Sequence, residues 1–432
     1  MVLLQPWFRT LGAYGTAQLI IALGAFARIP ILVDDLGASG YGVVVSVGGL
    51  AIVFIAIADG LAQATRVRII ELGAEGYIAA QKIQRLANTL GFLLFMALCV
   101  VAGISFLFSD ELNLLVFAAS VCLLFACLGI FGGPSKGVLE ALGRTATANL
   151  MQTSTTLVGL PILIAALFLS PTLEIAAAVT GLGLAMPYLT SILFARGKMS
   201  AEPALIRRRH PFDSPRQLLN SETAHNIWLM VFWAWANALN YAFDALIVAV
   251  IASPEAAAEF GLASRIMTMA MLLSLGLSPL LTATVTKWRM SLNPSDMRTR
   301  LWKASAMLLS AAIVLVAFSL IIARPLSRWL SHDEIVPGWS LFVWLSVFAI
   351  LSAVAMPLMA AFSGRNGVAF RTRIALICSG INIAVSIWAT MLVGQVGPVI
   401  GSVTGLVILI ATLFVRAWIQ PESIFVVKEG PA

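Results

Sequence analysis

The sequence predicts an all-α polytopic membrane protein of about twelve transmembrane helices in two six-helix halves. Three observations predict it. First, 60% of the 432 residues are hydrophobic and 11% charged, with a mean hydropathy of +0.96, whereas soluble domains carry about 25% charged residues. Second, apolar runs long enough to cross a hydrocarbon core of about 30 Å recur along the chain, separated by short hydrophilic connections. Third, 23 of the 27 lysines and arginines fall on alternate connections.

The apolar runs place spans at 11–33, 41–62, 86–108, 112–133, 147–169, 173–195, 226–250, 258–283, 303–323, 337–360, 372–393 and 397–418. The first is expected to be a retained span, because Met1 to Arg9 has no basic segment followed by a cleavage site. The basic connections carry Arg9, Arg66, Arg68, Lys82, Arg85, Lys136, Arg144, Arg196, Lys198, Arg207–Arg209 and Arg216. They continue with Lys287, Arg289, Arg298, Arg300, Lys303, Arg365, Arg371, Arg373, Arg416 and Lys428. The other set holds Asp34, Asp35, Asp110, Glu111, Glu174, Glu255, Glu259, Asp333 and Glu334, with only Arg324 and Arg328 as cations. The positive-inside rule puts the first set in the cytoplasm, and an even span count puts both termini there too. The organisation is then an N-terminal half at 1–195, a basic, proline-bearing linker at 196–225, a C-terminal half at 226–419 and a tail at 420–432. The linker suits anionic headgroups, and its Arg207–Arg209 run reads as a topology signal.

The halves resemble each other. In the first, a helix carrying Arg28 precedes an acidic connection, then Tyr41-Gly42, an apolar span and the basic exit Arg66/Arg68. In the second, a helix carrying Asp244 precedes Ser253-Pro254-Glu255, then Phe260-Gly261, an apolar span and the exit Lys287/Arg289. Six spans per half preserve orientation, so this is a parallel repeat, which places substrate between the halves.

Few charges lie inside the spans. At 1.5 Å per residue Arg28 sits roughly 12 Å, Asp244 roughly 14 Å and Arg265 roughly 9 Å below the outer ends of spans one, seven and eight. Such a charge at mid-membrane costs at least about 2.5–3.5 kcal/mol, so each is expected to face an inner cavity or a partner. The functional reading makes Arg28 and Arg265 cavity cations for an anionic substrate, with Asp244 a gate or ion-coupling carboxylate. The structural alternatives are snorkelling of either arginine to the outer headgroups, and an Arg28–Asp244 pair that merely locks the halves. Asp59 stands near the cytoplasmic end of span two, where it is expected to pair with Arg66 or Arg68 in an inner gate or to be an ordinary helix-end carboxylate. Lys303, Arg371 and Arg373, with Arg66 and Arg68, are expected at the cytosolic mouth.

Other classes are disfavoured. The outer connections are mostly under ten residues and carry no His/Asp/Glu constellation, and no GxxxxGK[ST] loop is present, so neither an enzyme nor an ATPase is expected. Cys99, Cys122, Cys127 and Cys378 lie in apolar runs and read as core residues, and the three histidines have no metal-ligand spacing. The formal charge of +7 is spread over many short connections, which argues against nucleic acid.

The run Arg28-Ile-Pro30 through Gly37, Gly40-Tyr41-Gly42, followed by Ala58-Asp59-Gly60-Leu61, resembles the first two helices of polysaccharide flippases. These are the O-antigen (Wzx-type) members of the multidrug/oligosaccharidyl-lipid/polysaccharide (MOP) exporter superfamily. The stretch from Asp244 through Phe260-Gly261-Leu-Ala263-Ser-Arg265 is similar to their seventh and eighth helices. The resemblance covers about a fifth of the chain. It implies two six-helix lobes forming a V around a cationic cavity, in which Arg28 and Arg265 match the family's cavity arginines. The implied cargo is a polyprenyl-(pyro)phosphate-linked saccharide moved from the cytosolic to the outer leaflet of the bacterial inner membrane. A proton or sodium gradient would couple to it, without any cofactor, and polysaccharide polymerase and assembly proteins would be partners alongside the membrane lipids. Nothing in the sequence demands an oligomer, so a monomer is expected.

The nearest rival is a cation-coupled multidrug (MATE-like) antiporter, which would want acidic cavity residues. A major-facilitator carrier fits less well, because Asp59 to Arg68 lacks that family's G-x-x-x-D-[RK]-x-G-[RK]-[RK] spacing. A scaffold that transports nothing is a third reading.

Overall fold

The computed structural model describes residues 5–107, 111–199, 222–362 and 365–419. The Arg207–Arg209 run, Asp110 and the tail with Lys428 lie outside the described residues, as does most of the 196–225 linker.

A bend at Gly37 (φ 70, ψ 175) divides α1, Gln5–Leu72, into the first two spans. A positive φ is readily adopted by glycine alone, so the acidic connection expected at 34–40 shrinks to one residue between two helices. α2, Ala74–Leu107, is the third span. Span four is composite, α3 at Glu111–Cys127, a 3-10 stretch at Leu128–Gly132 and α4 at Gly133–Ala141. Span five breaks into α5, Thr145–Gln152, α6, Ser154–Leu157, and α7, Gly159–Leu169. Pro161 explains part of this break, since it has no N–H to offer the carbonyl one turn earlier. α8, Leu173–Met199, closes the first half.

The second half opens with α9, Glu222–Ala242, and α10, Asp244–Ile251, bent by 45° into one broken span. α11 follows at Pro254–Ser291, where Ser253 Oγ accepts the backbone N–H of Ala256 at 3.1 Å and Pro254 occupies the first turn. α12, Pro294–Leu330, α13, Trp339–Ala361, α14, Arg365–Val393, and α15, Gly397–Ile419, complete it. The expected spans thus coincide with helices, many of which run further at their basic ends.

Contacts between the halves run down the second arm of α1, which packs on α9 and α11. Glycine permits the approach. A Cβ on Gly42 would stand 1.8 Å from the Pro254 carbonyl oxygen, one on Gly49 2.2 Å from that of Ala242, and one on Gly60 2.5 Å from Val231 Cα. The largest apolar cluster joins Phe26, Ile29 and Tyr41 of α1 to Ala257, Phe260 and Ile266 of α11 and continues through the second half. A second cluster links Val47, Leu61 and Val67 of α1 to α2 and α3 and reaches Met230 and Val231 of α9. The outward helix faces are apolar, as at Phe168 (90% exposed) and Ile321 (76%), which is what a lipid-facing surface requires. Cys122, Cys127 and Cys378 are buried among these apolar side chains.

Candidate functional site

A cavity of about 550 Å³ lies between the halves, lined by both arms of α1, spans four to eight, and α13 and α14. Among the described residues seven charged side chains line it: Arg28, Asp59, Arg66, Lys136, Glu140, Arg265 and Arg371. Five are cations and two are carboxylates, which gives the lining a formal charge of +3.

Arg28 is positioned by the broken fifth span. Its Nη2 donates to the Thr155 carbonyl at 2.6 Å, on the short α6 turn. A Cβ on Gly159 would come within 2.6 Å of Nη2 and one on Gly183 within 3.6 Å of the guanidinium, so two helices keep glycine where the guanidinium rests. Arg265 projects from α11 into open space in the same cavity, near enough to Arg28 and Tyr41 to act on both electrostatically. Among the described residues no carboxylate of the lining stands at this end.

The other end is mixed. Lys136 Nζ lies 2.9 Å from Asp59 Oδ1 and 4.7 Å from the centre of the Tyr188 ring. Arg66 Nη1 lies 2.8 Å from Glu140 Oε2, with both side chains almost fully covered. Asp59, Gln63 and Arg66 follow one another at helical spacing on α1, and Lys136 and Glu140 are one turn apart on α4, so the two faces meet pairwise. Gly133 and Gly137 make the meeting possible, since their Cβ atoms would stand 2.5 Å and 2.2 Å from the carbonyl oxygens of Ala58 and Ala62. Arg371 enters from α14. It is 1% exposed, donates from Nη1 to the Met359 carbonyl at 3.0 Å, and stacks over Trp233 at 4.1 Å.

Several sequence-derived placements change. Asp59 pairs with Lys136 and not with Arg66 or Arg68. Arg371 is buried inside the cavity wall instead of standing at a mouth. Arg68, Lys303 and Arg373 do not line the cavity. Asp244 does not line it either and makes no pair with Arg28. It is 4% exposed inside the second half, where Ser402 Oγ donates to its Oδ2 at 2.7 Å. Asn240 and Asn382 are joined there at 3.2 Å, Ser386 donates to Asn382 at 2.9 Å, and Ser402 also contacts the Asn240 carbonyl. Among the described residues Asp244 Oδ1 has no hydrogen-bond partner. Lys136 and Glu140 were missed as cavity residues because the basic connection rule claimed Lys136. Their spacing of four within an otherwise apolar stretch was the available signal.

No family model and no curated protein matches this sequence. Solved structures do match. A MATE transporter crystallised in complex with MaD3S superposes with a TM-score of 0.67 at 19% identity, over 97% of each chain. The chain has the MATE fold. An outward-facing multidrug resistance MATE family transporter of the MOP superfamily gives a TM-score of 0.65 at 20% identity, over 97% of this chain and 96% of that one. A MOP superfamily transporter from Pyrococcus furiosus gives 0.65 at 18% identity, over 97% and 94%. The MATE fold accounts for the two six-helix lobes and for a cavity between them.

Proposed function

We propose that the protein is a flippase that carries a polyprenyl-(pyro)phosphate-linked oligosaccharide from the cytosolic to the outer leaflet by alternating access, for surface polysaccharide synthesis. The charge of the cavity supports this reading. Among the described residues both carboxylates of the lining are engaged by cations, and the end built by Arg28 and Arg265 carries cations alone. A pyrophosphate crossing a low-dielectric core needs charge-assisted donors in place of its hydration, and guanidinium groups supply them in a fixed fork. Transporters of the MATE fold have been solved in outward-facing and inward-facing conformations, which suits the two-lobed architecture to alternating access. The P. furiosus protein of this fold is described as having a binding pocket of reverse polarity, suggesting a different function.

Asp244 is the coupling carboxylate in this scheme. Its Oδ2, Ser402 Oγ, the Asn240 carbonyl and Asn382 Oδ1 gather around one hydroxyl proton, an oxygen-rich arrangement that suits a proton or a hard cation such as Na⁺. Asp59, held by Lys136, belongs to a gate at the Arg66 end. The basic connections face the cytoplasm of a bacterial inner membrane, and the protein works as a monomer beside a polysaccharide polymerase.

The second reading is a cation-coupled multidrug antiporter, since solved neighbours in outward-facing and inward-facing conformations are described as multidrug resistance MATE family transporters. An organic cation would meet Asp59 and Glu140 already neutralised by Lys136 and Arg66, inside a lining whose described residues are net positive. Deletion of the gene followed by mass spectrometry of the lipid extract separates the two. Accumulation of a polyprenyl-linked saccharide with loss of a surface glycan is the expected result. An unchanged lipid profile with new sensitivity to cationic compounds would establish the antiporter instead.

A further inference from the structure

The cavity carries cations at two levels. Arg28 precedes Gly37 by 9 residues and Asp59 follows it by 22, which at 1.5 Å per residue puts Asp59 about 20 Å further from the bend. The first level is Arg28 with Arg265. The second is Lys136 and Arg66 from the first half with Arg371 from the second, the two arginines near enough to act on each other's charge. A diphosphate is far too short to reach both levels.

Within the second level, the Lys136–Asp59 pair is asymmetric. The Lys136 side chain is 9% exposed and Asp59 is 51% exposed. Tyr188 covers the lysine, so the ammonium is held in place while the carboxylate that neutralises it remains accessible from the cavity. The Arg66–Glu140 pair has no such accessible member, both side chains being covered to about the same degree. A ligand carboxylate can therefore take the place of Asp59 on Lys136, but cannot reach Arg66 in the same way. Charge balance points the same way. A doubly charged diphosphate diester leaves one positive charge of the +3 carried by the described lining residues uncompensated, and one carboxylate closes that balance.

Resting on the flippase reading, we propose that the cargo is anionic at two separated places, its phosphate at Arg28 and Arg265 and an acidic sugar of its saccharide at Lys136. The sugar carboxylate displaces Asp59, and the released Asp59 signals to the gate that the saccharide end is seated. A neutral saccharide leaves the Lys136–Asp59 pair closed.

The test uses the full chain in nanodiscs and two synthetic probes, a farnesyl-diphosphate-linked tetrasaccharide ending in glucose and the same probe ending in glucuronic acid. Wild type is expected to bind the glucuronic acid probe about tenfold more tightly, and Lys136→Ala to bring the ratio of the two affinities close to one. Should Lys136→Ala fail to fold because Asp59 loses its partner, the double variant Lys136→Ala/Asp59→Asn removes both charges together and carries the same expectation. Equal affinities in wild type, or a Lys136 variant that weakens both probes in equal proportion, would overturn the acidic-sugar assignment while leaving the flippase reading intact. Binding of tetraphenylphosphonium with no binding of either probe would sink both.

Discussion

Ser402 donates a hydrogen bond of 2.7 Å to Asp244 Oδ2, and the other oxygen of that carboxylate has no partner among the described residues. A carboxylate 4% exposed and half satisfied is an unfavourable thing to keep in an apolar lobe. A cation or proton that arrives and leaves would resolve it. Asp244→Asn keeps an acceptor for Ser402 and removes the charge. In liposomes with an imposed Na⁺ or H⁺ gradient, gradient-driven transport by this variant is expected to fall by about tenfold or more, with the fold retained by circular dichroism. Unchanged gradient dependence would remove Asp244 from the coupling scheme.

The seat of Arg28 offers a test that keeps its charge. Gly159→Ala would put a methyl group 2.6 Å from Arg28 Nη2 and push the guanidinium off the Thr155 carbonyl. Transport is expected to drop by about an order of magnitude, because misplacement of a binding group by about an ångström is costly. Gly183→Ala, whose Cβ would lie 3.6 Å away in ordinary contact, is the matched control and is expected to stay close to wild type.

Arg66 and Glu140 form a covered ion pair. Glu140→Ala strands a buried guanidinium and is expected to destabilise the protein by about 3–5 kcal/mol, while the double change Arg66→Met/Glu140→Leu is expected to be far milder. Thermal unfolding in detergent, followed by intrinsic tryptophan fluorescence, reports the difference. Equal losses in the two variants would show that packing, and not the stranded charge, sets the cost.

At the Gly37 end the halves touch through His332 Nδ1 and Asp34 Oδ1 at 3.0 Å. Both side chains are more than half exposed, so the contact contributes about 0–1 kcal/mol and either residue can be replaced without loss of fold. Replacing both by cysteine and joining them with a short bis-methanethiosulfonate reagent is expected to stop transport, and reductant to restore it. Transport that continues in the cross-linked protein would mean that this end does not open.

The twelve spans were legible because each one obeys a local rule. Twenty apolar residues fill the bilayer whatever their neighbours do, whereas the connection expected at 34–40 turned out to be a single bend at Gly37 within helix. Arg28 and Arg265 were legible for a related reason, since a lone cation in an apolar run has no inexpensive place outside a cavity. Partner choice followed no such rule. Asp59 was expected either to reach Arg66 or Arg68, seven and nine residues along its own helix, or to be an ordinary helix-end carboxylate, and it meets Lys136, whose sequence neighbours looked like an ordinary basic connection. Arg371 looked like a mouth residue until α9 laid Trp233 across it, and Asp244 looked like a cavity acid until the 45° bend between α9 and α10 turned it toward Ser402.

Sequence alone therefore determined that the chain is an all-helical, multi-pass membrane protein, which connections are basic, and which charges needed an interior explanation, because transfer free energy is additive along the chain. Only the tertiary structure decided which of those charges share a cavity, because burial and pairing depend on how helices rotate and approach one another. That approach is governed by single glycines on facing helices, whose partners lie tens to hundreds of residues away.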